Sequence, residues 1–132
     1  MNGKVYHEHF IEQLKRRCQA KRFHTRTQAP FQKDGKTRYV DLLASQSNPK
    51  MLLLIEIEMG SNKRAMNDIE KWRDFEQRFP SRRVILWIVT PTLHIAKLIQ
   101  NRIKRTLGGV PGRVFVLTLF EAFERLDTVY CD

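Results

Sequence analysis

Apolar residues recur along this chain with two different spacings, and the spacings predict a helix followed by three strands. Between residues 4 and 19 the apolar positions repeat at helical spacing. Residues 22–31 and 37–44 form two extended segments, and the Asp-Gly pair between them is a strong hairpin signal. The first extended segment is polar enough to be an exposed strand. One of its alternating faces would carry Arg22, His24 and Arg26.

Two later segments predict strands that are covered on both faces. Residues 52–55 and 83–90 are apolar at successive positions, and the first of these strands continues to residue 58. A helix is predicted between them, beginning near Asn62 after a Ser61 cap and ending before Pro80. Its apolar stripe would consist of Ala65, Ile69, Trp72, Phe75 and Phe79.

The rest of the chain alternates between helix and strand. Thr92 starts a predicted helix that extends to about residue 106, residues 114–119 form the last strand, and residues 121–126 form a short closing helix. We therefore predict an α/β fold with an αβββαβ core, in which helices flank a mixed central sheet. A chain of 132 residues is long enough for one compact domain, so we expect a single domain over residues 1–132.

Acidic residues interrupt two of the apolar strands. Glu56 and Glu58 are two residues apart in a strand, so their side chains lie on one face, about 7 Å apart. Two acids at the end of a buried strand repel each other and lose solvation, and a divalent cation is the simplest compensation. Asp41 is a single acid in the preceding strand. It is either a turn residue or, since these strands would be neighbours, a partner of Glu56.

The first helix offers further candidates for the same site. Steps of 100° place Glu8 at the edge of its apolar stripe and Glu12 farther towards solvent, so Glu8 is the acid that could face a site. The alternative is that both are surface acids that balance neighbouring cations. His7 falls among the apolar positions. His7 and His9 would be about 200° apart on a helix, so one metal ion could hardly bind both.

Positive charge is concentrated in the N-terminal third of the chain. The formal charge is +10, and residues 1–40 hold ten Lys and Arg against three acids. This excess predicts an anionic partner, and a nucleic acid fits better than a membrane because no basic amphipathic helix dominates. A basic protein that binds nothing specific is the alternative. The cations expected to contact DNA are Lys15, Arg16, Arg17, Lys21, Arg22, Arg26, Lys33, Lys36, Arg38, Lys63 and Arg64.

Neither the apolar runs nor the cysteines indicate a secreted or membrane protein. The longest apolar run, residues 84–89, is far shorter than the ~20 residues that cross a bilayer, and no segment resembles a signal peptide. We expect a cytoplasmic protein with no membrane partner. Cys18 and Cys131 have no metal-ligand spacing and are expected to stay reduced.

The order of elements and the acids together resemble the PD-(D/E)XK nuclease superfamily, whose restriction-endonuclease-like core is αβββαβ. Asp41 matches its first acid, Glu56-Ile57-Glu58 matches its second motif, and Glu8 or Glu12 matches the helix-one glutamate of several members. Val40 stands where the motif name has proline. Glu58 replaces the motif lysine, as in the E-x-E form of certain restriction enzymes.

Other members of the superfamily carry the lysine on the helix after the third strand. Lys63, Arg64 and Lys71 are the candidates there, and we favour Lys71. By helical arithmetic Arg64 and Lys71 lie on one flank of the apolar stripe, whereas Lys63 points away. The alternative is that Lys71 is an ordinary solvated lysine.

The resemblance implies a metal-dependent DNA endonuclease. Asp41, Glu56 and the Ile57 carbonyl would hold Mg²⁺ or Mn²⁺, while Glu58 would position or deprotonate water or help hold a second ion. The size is similar to that of Holliday-junction resolvases, so duplex or branched DNA and a homodimer are expected. The alternatives are a nuclease-like module that binds DNA without cutting it, and a basic module that binds RNA or protein.

Overall fold

The computed structural model describes residues 3–48, 50–60, 62 and 64–128, with side chains from residue 6 onward. Its elements follow the predicted order of one helix, three strands, and then alternating helices and strands. They are α1 (Gly3–Ala20), β1 (His24–Lys33), β2 (Lys36–Ser47), β3 (Lys50–Ile57), α2 (Ala65–Arg78), β4 (Arg83–Thr90), α3 (Leu93–Leu107), β5 (Val114–Thr118) and α4 (Leu119–Thr128). The predicted α/β fold is confirmed, and its first six elements run αβββαβ.

The five strands form one mixed sheet in the order β1-β2-β3-β4-β5. β1, β2 and β3 are antiparallel neighbours, whereas β3, β4 and β5 are parallel and are connected by α2 and α3. α2 and α3 pack on one face of the sheet, and α1 and α4 pack on the other. β3 and β4 are therefore buried on both faces, as predicted. No helix of the described residues is long and apolar enough to cross a bilayer.

The hairpin between β1 and β2 turns at Asp34 and Gly35, as the sequence predicts. Both residues have positive φ, 53° and 74°, which is the geometry of a two-residue type I′ turn. The predicted place of Arg22 on the first strand is wrong. Arg22 lies in the turn between α1 and β1 with φ of 66°, because β1 begins only at His24, so it does not share an alternating face with Arg26.

The β1–β2 hairpin extends beyond the rest of the sheet. Pairing between β2 and β3 starts with Leu42 opposite Ile55, so residues 36–41 of β2 have a strand neighbour only in β1. At about 3.3 Å per residue, this hairpin arm is about 20 Å long. α2 packs beside the arm, where the ring centroids of Phe31 and Phe75 are 5.3 Å apart. The hairpin arm and α2 form two walls at the point where β3 ends.

Two helix boundaries differ from the predicted ones. α2 begins at Ala65 rather than near Asn62, and its N-terminus has no side-chain cap; the proposed cap, Ser61, lies outside the described residues. Four residues of the predicted stripe are buried, but Phe79 is 40% exposed because the helix has ended. α4 starts two residues early, since Thr118 and Glu121 bond to each other's backbone amides in a capping box.

Candidate active site

A cavity of about 460 Å³ opens where β3 ends, between the hairpin arm and the first turns of α2. Acidic side chains come to it from β2, from the end of β3 and the residues just after it, and from α2, and four basic side chains accompany them. The lining residues are His7, Gln28, Arg38, Tyr39, Asp41, Glu56, Ile57, Glu58, Arg64, Asn67, Asp68 and Lys71. The cavity therefore concentrates charge at the end of the central strand β3, which is otherwise apolar.

Asp41 is held in place by two donors. Its Oδ2 accepts a hydrogen bond from the backbone amide of Ile57 at 2.8 Å and lies 3.2 Å from Nε2 of His7 on α1. Burial pushes the pKa of Asp41 upward, but the hydrogen bonds from His7 and Ile57 outweigh it and leave the pKa below its ordinary value. The same contact with Asp41 raises the pKa of His7. Asp41 is therefore a carboxylate, and His7 acts as its partner.

Glu56 is the most deeply placed acid of β3. It is 3% exposed, and its Oε1 lies 3.2 Å from Nζ of Lys71, which also donates to the Tyr39 carbonyl at 2.9 Å. Burial and the neighbouring Asp41 charge raise the pKa of Glu56 to about 8, although Lys71 opposes them. The Asp41 and Glu56 side chains are also in hydrogen-bonding contact. Lys71 joins the hairpin arm to the end of β3.

Glu58 and Asp68 form the second half of the cluster. Both are buried, at 9% and 2% exposure, and their carboxyl groups contact each other through a hydrogen bond. Burial raises the pKa of both acids, and Asp68 is raised further by Glu56 and Glu58. No ion pair joins either of them to a basic side chain elsewhere in the described part of the chain.

The structure brings most of the predicted site residues together. Asp41, Glu56, Glu58 and Lys71 line one cavity, and Arg64 lines it as well. The catalytic roles assigned to them stay predictions. Lys63 lies outside the described residues.

The prediction that Glu8 faces the site from α1 is wrong in geometry. Glu8 is exposed and does not line the cavity, and the neighbouring His7 faces it instead. One residue along a helix rotates the side chain by 100°, so the packing of α1 on the sheet decides which of the two points inward. Glu12 is also at the surface, where it pairs with Arg16 at 3.2 Å.

Sequence reasoning missed His7 and Asp68 as site residues, although both carry a signal. His7 falls among the apolar positions of α1. Asp68 lies three residues after Ala65 and four before Trp72, which places it on the apolar stripe of α2. A charged or polar group on a stripe that faces the core needs a partner there. His7 finds that partner in Asp41 of β2, whereas Asp68 meets another acid, Glu58, just after β3.

The predicted DNA-contacting residues divide into two groups. Arg38 and Arg64 line the cavity, and Lys33 and Lys36 flank the tip of the hairpin arm. Other cations lie away from the cavity: Arg16 pairs with Glu12 on α1, and the turn residue Arg22 is exposed. The members outside the cavity are Lys15, Arg16, Arg17, Lys21, Arg22, Arg26, Lys33 and Lys36. Arg17 contacts Asp127 at 3.4 Å, a surface pair of the kind that contributes little to stability.

The chemistry of the donors fits a hard divalent cation. Four carboxyl groups line the cavity, and one oxygen, Oδ2 of Asp68, is buried without a hydrogen-bond partner among the residues that the structure describes. Within the described ranges, no three His, Cys, Asp or Glu side chains already surround a point as metal ligands. Asp41 and Glu56 instead face His7, Lys71 and the Ile57 amide. Mg²⁺ is commonly bound by only one or two carboxylates, with water and substrate phosphate as the other ligands.

Comparisons with known proteins bear on the fold alone. No family model and no curated protein matches this chain. Among solved structures it is similar to one described as "Crystal Structure of Protein of Unknown Function AF1548", with a TM-score of 0.59 and 15% sequence identity. The similarity covers 86% of this chain and 64% of that protein, so this chain spans less than two thirds of its neighbour's length.

Proposed function

We propose that this protein is a metal-dependent DNA endonuclease that hydrolyses phosphodiester bonds in the manner of the PD-(D/E)XK nucleases. One observation carries the proposal: Asp41 from β2, Glu56 and Glu58 from the end of β3, and Lys71 from α2 meet in one cavity. These are the elements on which that superfamily places its acids and its lysine. Burying several charged groups together is costly. Charged residues that are far apart in sequence would therefore rarely converge in one buried place without a functional reason.

A site lined by acids needs a cation before it can bind and cleave a phosphodiester. Phosphodiester hydrolysis builds negative charge on the phosphate oxygens and the leaving oxygen, which carboxylates alone would repel. Asp41 and Glu56, with the Ile57 carbonyl, would hold Mg²⁺ or Mn²⁺ at this point. When bound, the ion supplies Lewis-acid stabilisation and lowers the pKa of bound water. Because Asp41 keeps a lowered pKa and so stays ionised, it can serve as a permanent ligand.

The remaining residues act on water and phosphate. Glu58 directly follows β3 and lines the same cavity as Glu56, where it can accept a proton from attacking water or position that water. Lys71 lines the cavity with its ammonium group 3.2 Å from Glu56, which suits it to stabilise charge on the phosphate. His7 positions Asp41 through the 3.2 Å contact and touches no reacting atom in this account.

The hairpin arm provides the contacts that bring DNA to the cavity. Lys33 and Lys36 at its tip, with Arg38 and Arg64 nearer the acids, form a basic border around the negative centre. Phosphate contacts by such cations release counterions, so DNA affinity should fall steeply with salt. Duplex and branched DNA both suit a site that opens at the end of β3. The homodimer stays a prediction.

The proposal is tested by incubating labelled DNA with the protein. The panel contains duplex, nicked, branched and single-stranded DNA, each with Mg²⁺, Mn²⁺ or a chelator. We expect cleavage of at least one DNA only with a divalent ion, loss of it in Asp41→Asn, and its retention in Asp127→Asn. Asp127 is the matched control because it is an exposed acid that pairs with Arg17 outside the cavity. Cleavage that persists in Asp41→Asn would place the site elsewhere.

A nuclease-like module that binds DNA without cutting it is the second candidate. The observation that favours it is Glu58, an acid at the position where the superfamily motif has lysine. The same panel separates the two candidates, because the second predicts retarded DNA on a gel with no product under any metal condition.

A further inference from the structure

The two faces of the hairpin arm differ in burial. The face that packs against α2 is buried and consists of Ala29, Phe31 and Val40. The residues at the alternating positions are exposed, and we call them the outer face of the arm: Pro30, Gln32, Thr37 and Tyr39. These four residues form two cross-strand pairs, Pro30 with Tyr39 and Gln32 with Thr37.

Tyr39 is the aromatic residue of the outer face, and it is 50% exposed. One structural explanation is that its ring stabilises the hairpin as the cross-strand neighbour of Pro30. That explanation leaves the exposed half of the residue without a role. Every nucleobase has a flat π face, so an exposed aromatic side chain beside a site for DNA is suited to stack on a base.

Tyr39 is connected to the candidate site through its backbone. Its carbonyl accepts a 2.9 Å hydrogen bond from Nζ of Lys71, and the same ammonium group lies 3.2 Å from Oε1 of Glu56. Tyr39 also lines the cavity and precedes Asp41 by two residues, which is about 7 Å along β2. A base stacked on Tyr39 would therefore lie next to a phosphate in the cavity, on a backbone that is already held in place.

The opposite strand is distorted at the same place. Gln28 lies between the pairs Thr27–Leu42 and Ala29–Val40, and its φ of 48° is uncommon for a residue other than glycine. Strained backbone of this kind is concentrated at active sites and ligand-binding sites. Gln28 is exposed and lines the cavity, so its amide can hydrogen-bond to the edge of a base.

The distribution of charge on the arm favours an unpaired strand over a duplex. None of the four residues of the outer face is charged, whereas Lys33 and Lys36 lie at the tip and Arg38 lies 3.9 Å from Glu70 of α2. A duplex keeps the flat faces of its bases stacked inside and presents phosphates, for which the outer face supplies no cation. An unpaired strand exposes its bases, and proteins bind it by combining aromatic stacking with nearby cations.

We propose that the outer face of the arm, centred on Tyr39, stacks on an unpaired base, so that the DNA substrate carries a single-stranded segment next to the bond that is cleaved. Tyr39 selects the structure of the DNA and touches no reacting atom. The role of this contact in cleavage rests on the proposed function. The stacking itself can be measured without any reaction.

The test measures binding in the presence of a chelator, so that metal-dependent cleavage does not occur. Fluorescence anisotropy at one salt concentration compares a labelled single strand with a duplex that has the same total number of nucleotides. A set of thymine strands also carries one 2-aminopurine at different positions, because the emission of this base is quenched when an aromatic ring stacks on it. Wild-type protein should bind the single strand more tightly than the duplex and quench 2-aminopurine.

The variants test whether the ring of Tyr39 causes this preference. Tyr39→Ala should weaken binding of the single strand by about 5- to 100-fold, the range expected for one base stacked on one ring, and should abolish the quenching. Its affinity for the duplex should stay unchanged. Tyr39→Phe keeps the ring and should bind like wild type. The matched control is Phe120→Ala, which truncates an aromatic residue that is 76% exposed and does not line the cavity. The control should bind both DNAs like wild type.

Several results would overturn the inference: a wild type that does not prefer the single strand or does not quench 2-aminopurine, an equal loss for both DNAs in Tyr39→Ala, or the same loss in Phe120→Ala. Tighter binding of an RNA strand of the same sequence would assign the stacking site to RNA and overturn it for DNA. Circular dichroism checks that each variant is folded. Tyr39→Thr, which places a β-branched residue in the strand, provides the answer if Tyr39→Ala does not fold.

Failure of this inference is distinguishable from failure of the proposed function. A single-strand preference that depends on Tyr39, without cleavage under any metal condition, would keep the stacking site and reject the nuclease. Metal-dependent cleavage that is lost in Asp41→Asn, with single-strand affinity unchanged in Tyr39→Ala, would keep the nuclease and reject the stacking site.

Discussion

β3 and β4 lie side by side in the centre of the sheet and differ at one end. They have the same length, run parallel and show the same pattern of one exposed residue followed by seven buried ones. Near its end β3 places Glu56 beside Ile88 of β4. The apolar strand maximises burial of hydrophobic surface, whereas its neighbour puts a carboxylate in an equally dry position at a cost in stability. The difference indicates that the sequence at the end of β3 serves a purpose other than the stability of the fold.

The largest effect should be on activity when the acid of β3 is neutralised. Glu56→Gln keeps the size of the side chain but would remove a proposed metal ligand, so DNA cleavage should fall by about 10³ or more, because Lewis-acid catalysis is worth several kcal/mol. The measurement is the single-turnover rate on whichever DNA of the panel is cut. A rate within tenfold of wild type would remove Glu56 from the site.

The ammonium group beside Glu56 should matter next. Lys71→Met removes the group that would stabilise phosphate charge, and loss of one such donor commonly lowers the rate by about 10²–10³. The single-turnover rate measures this effect. Glu58→Lys sharpens the result, because it rebuilds the common motif: regained cleavage in the double variant Glu58→Lys, Lys71→Met would show that either position can hold the lysine. An unchanged rate in Lys71→Met would make Lys71 an ordinary structural lysine.

A substitution at the equivalent position of β4 should lower the stability of the protein and leave its activity nearly unchanged. Ile88 is fully buried, and Ile88→Ala should lower the free energy of unfolding by about 2–5 kcal/mol, because it leaves a cavity in the core. Urea denaturation measures the loss. The cleavage rate per folded molecule should change little, since Ile88 does not line the cavity of the site. If Ile88→Ala abolished cleavage in folded protein, the functional contrast between the strands would be lost.

A smaller effect should appear in the pH dependence of stability without metal. Burial raises the pKa of Glu56 from 4.5 to about 8, so the folded state holds a proton that the unfolded chain has already released. Stability should therefore fall as pH rises from 5 to 8. His7 acts in the same direction, because its raised pKa gives stability that is lost above its ordinary value. Thermal midpoints across this range measure the slope, which Glu56→Gln should reduce without abolishing it, because the pKa values of His7, Glu58 and Asp68 are also raised. Stability that rises with pH in wild type would contradict this prediction.

Much of the fold could be predicted from local sequence. Continuous apolar runs identified β3 and β4, and Asp-Gly identified the hairpin turn, because these signals depend on a few neighbouring residues. The start of α2 could not be placed, since no side-chain cap marks it among the described residues. The hairpin arm also escaped prediction, because its projection depends on the register between β2 and β3.

Among the acids of the site, only those on or next to the strands could be predicted from the sequence. Asp41 and Glu56 stood out because an acid within an apolar strand has few explanations. On helices the same reasoning failed, since acids are common there and the facing side depends on packing. Glu8 was assigned to the site, whereas His7 faces it, and Asp68 was missed although its spacing from Trp72 places it on the buried stripe.

The most direct test of the account compares wild type with Glu56→Gln by urea denaturation, with and without Mn²⁺. If the buried acids exist to bind a cation, Glu56→Gln should be at least as stable as wild type without metal, because burial and the neighbouring Asp41 both disfavour the ionised form of Glu56. With saturating Mn²⁺ the order should reverse, since the ion stabilises only the protein that binds it well. Glu56→Gln being the less stable protein by the same amount in both conditions would contradict the account. In that case Glu56 and Lys71 would form a structural ion pair.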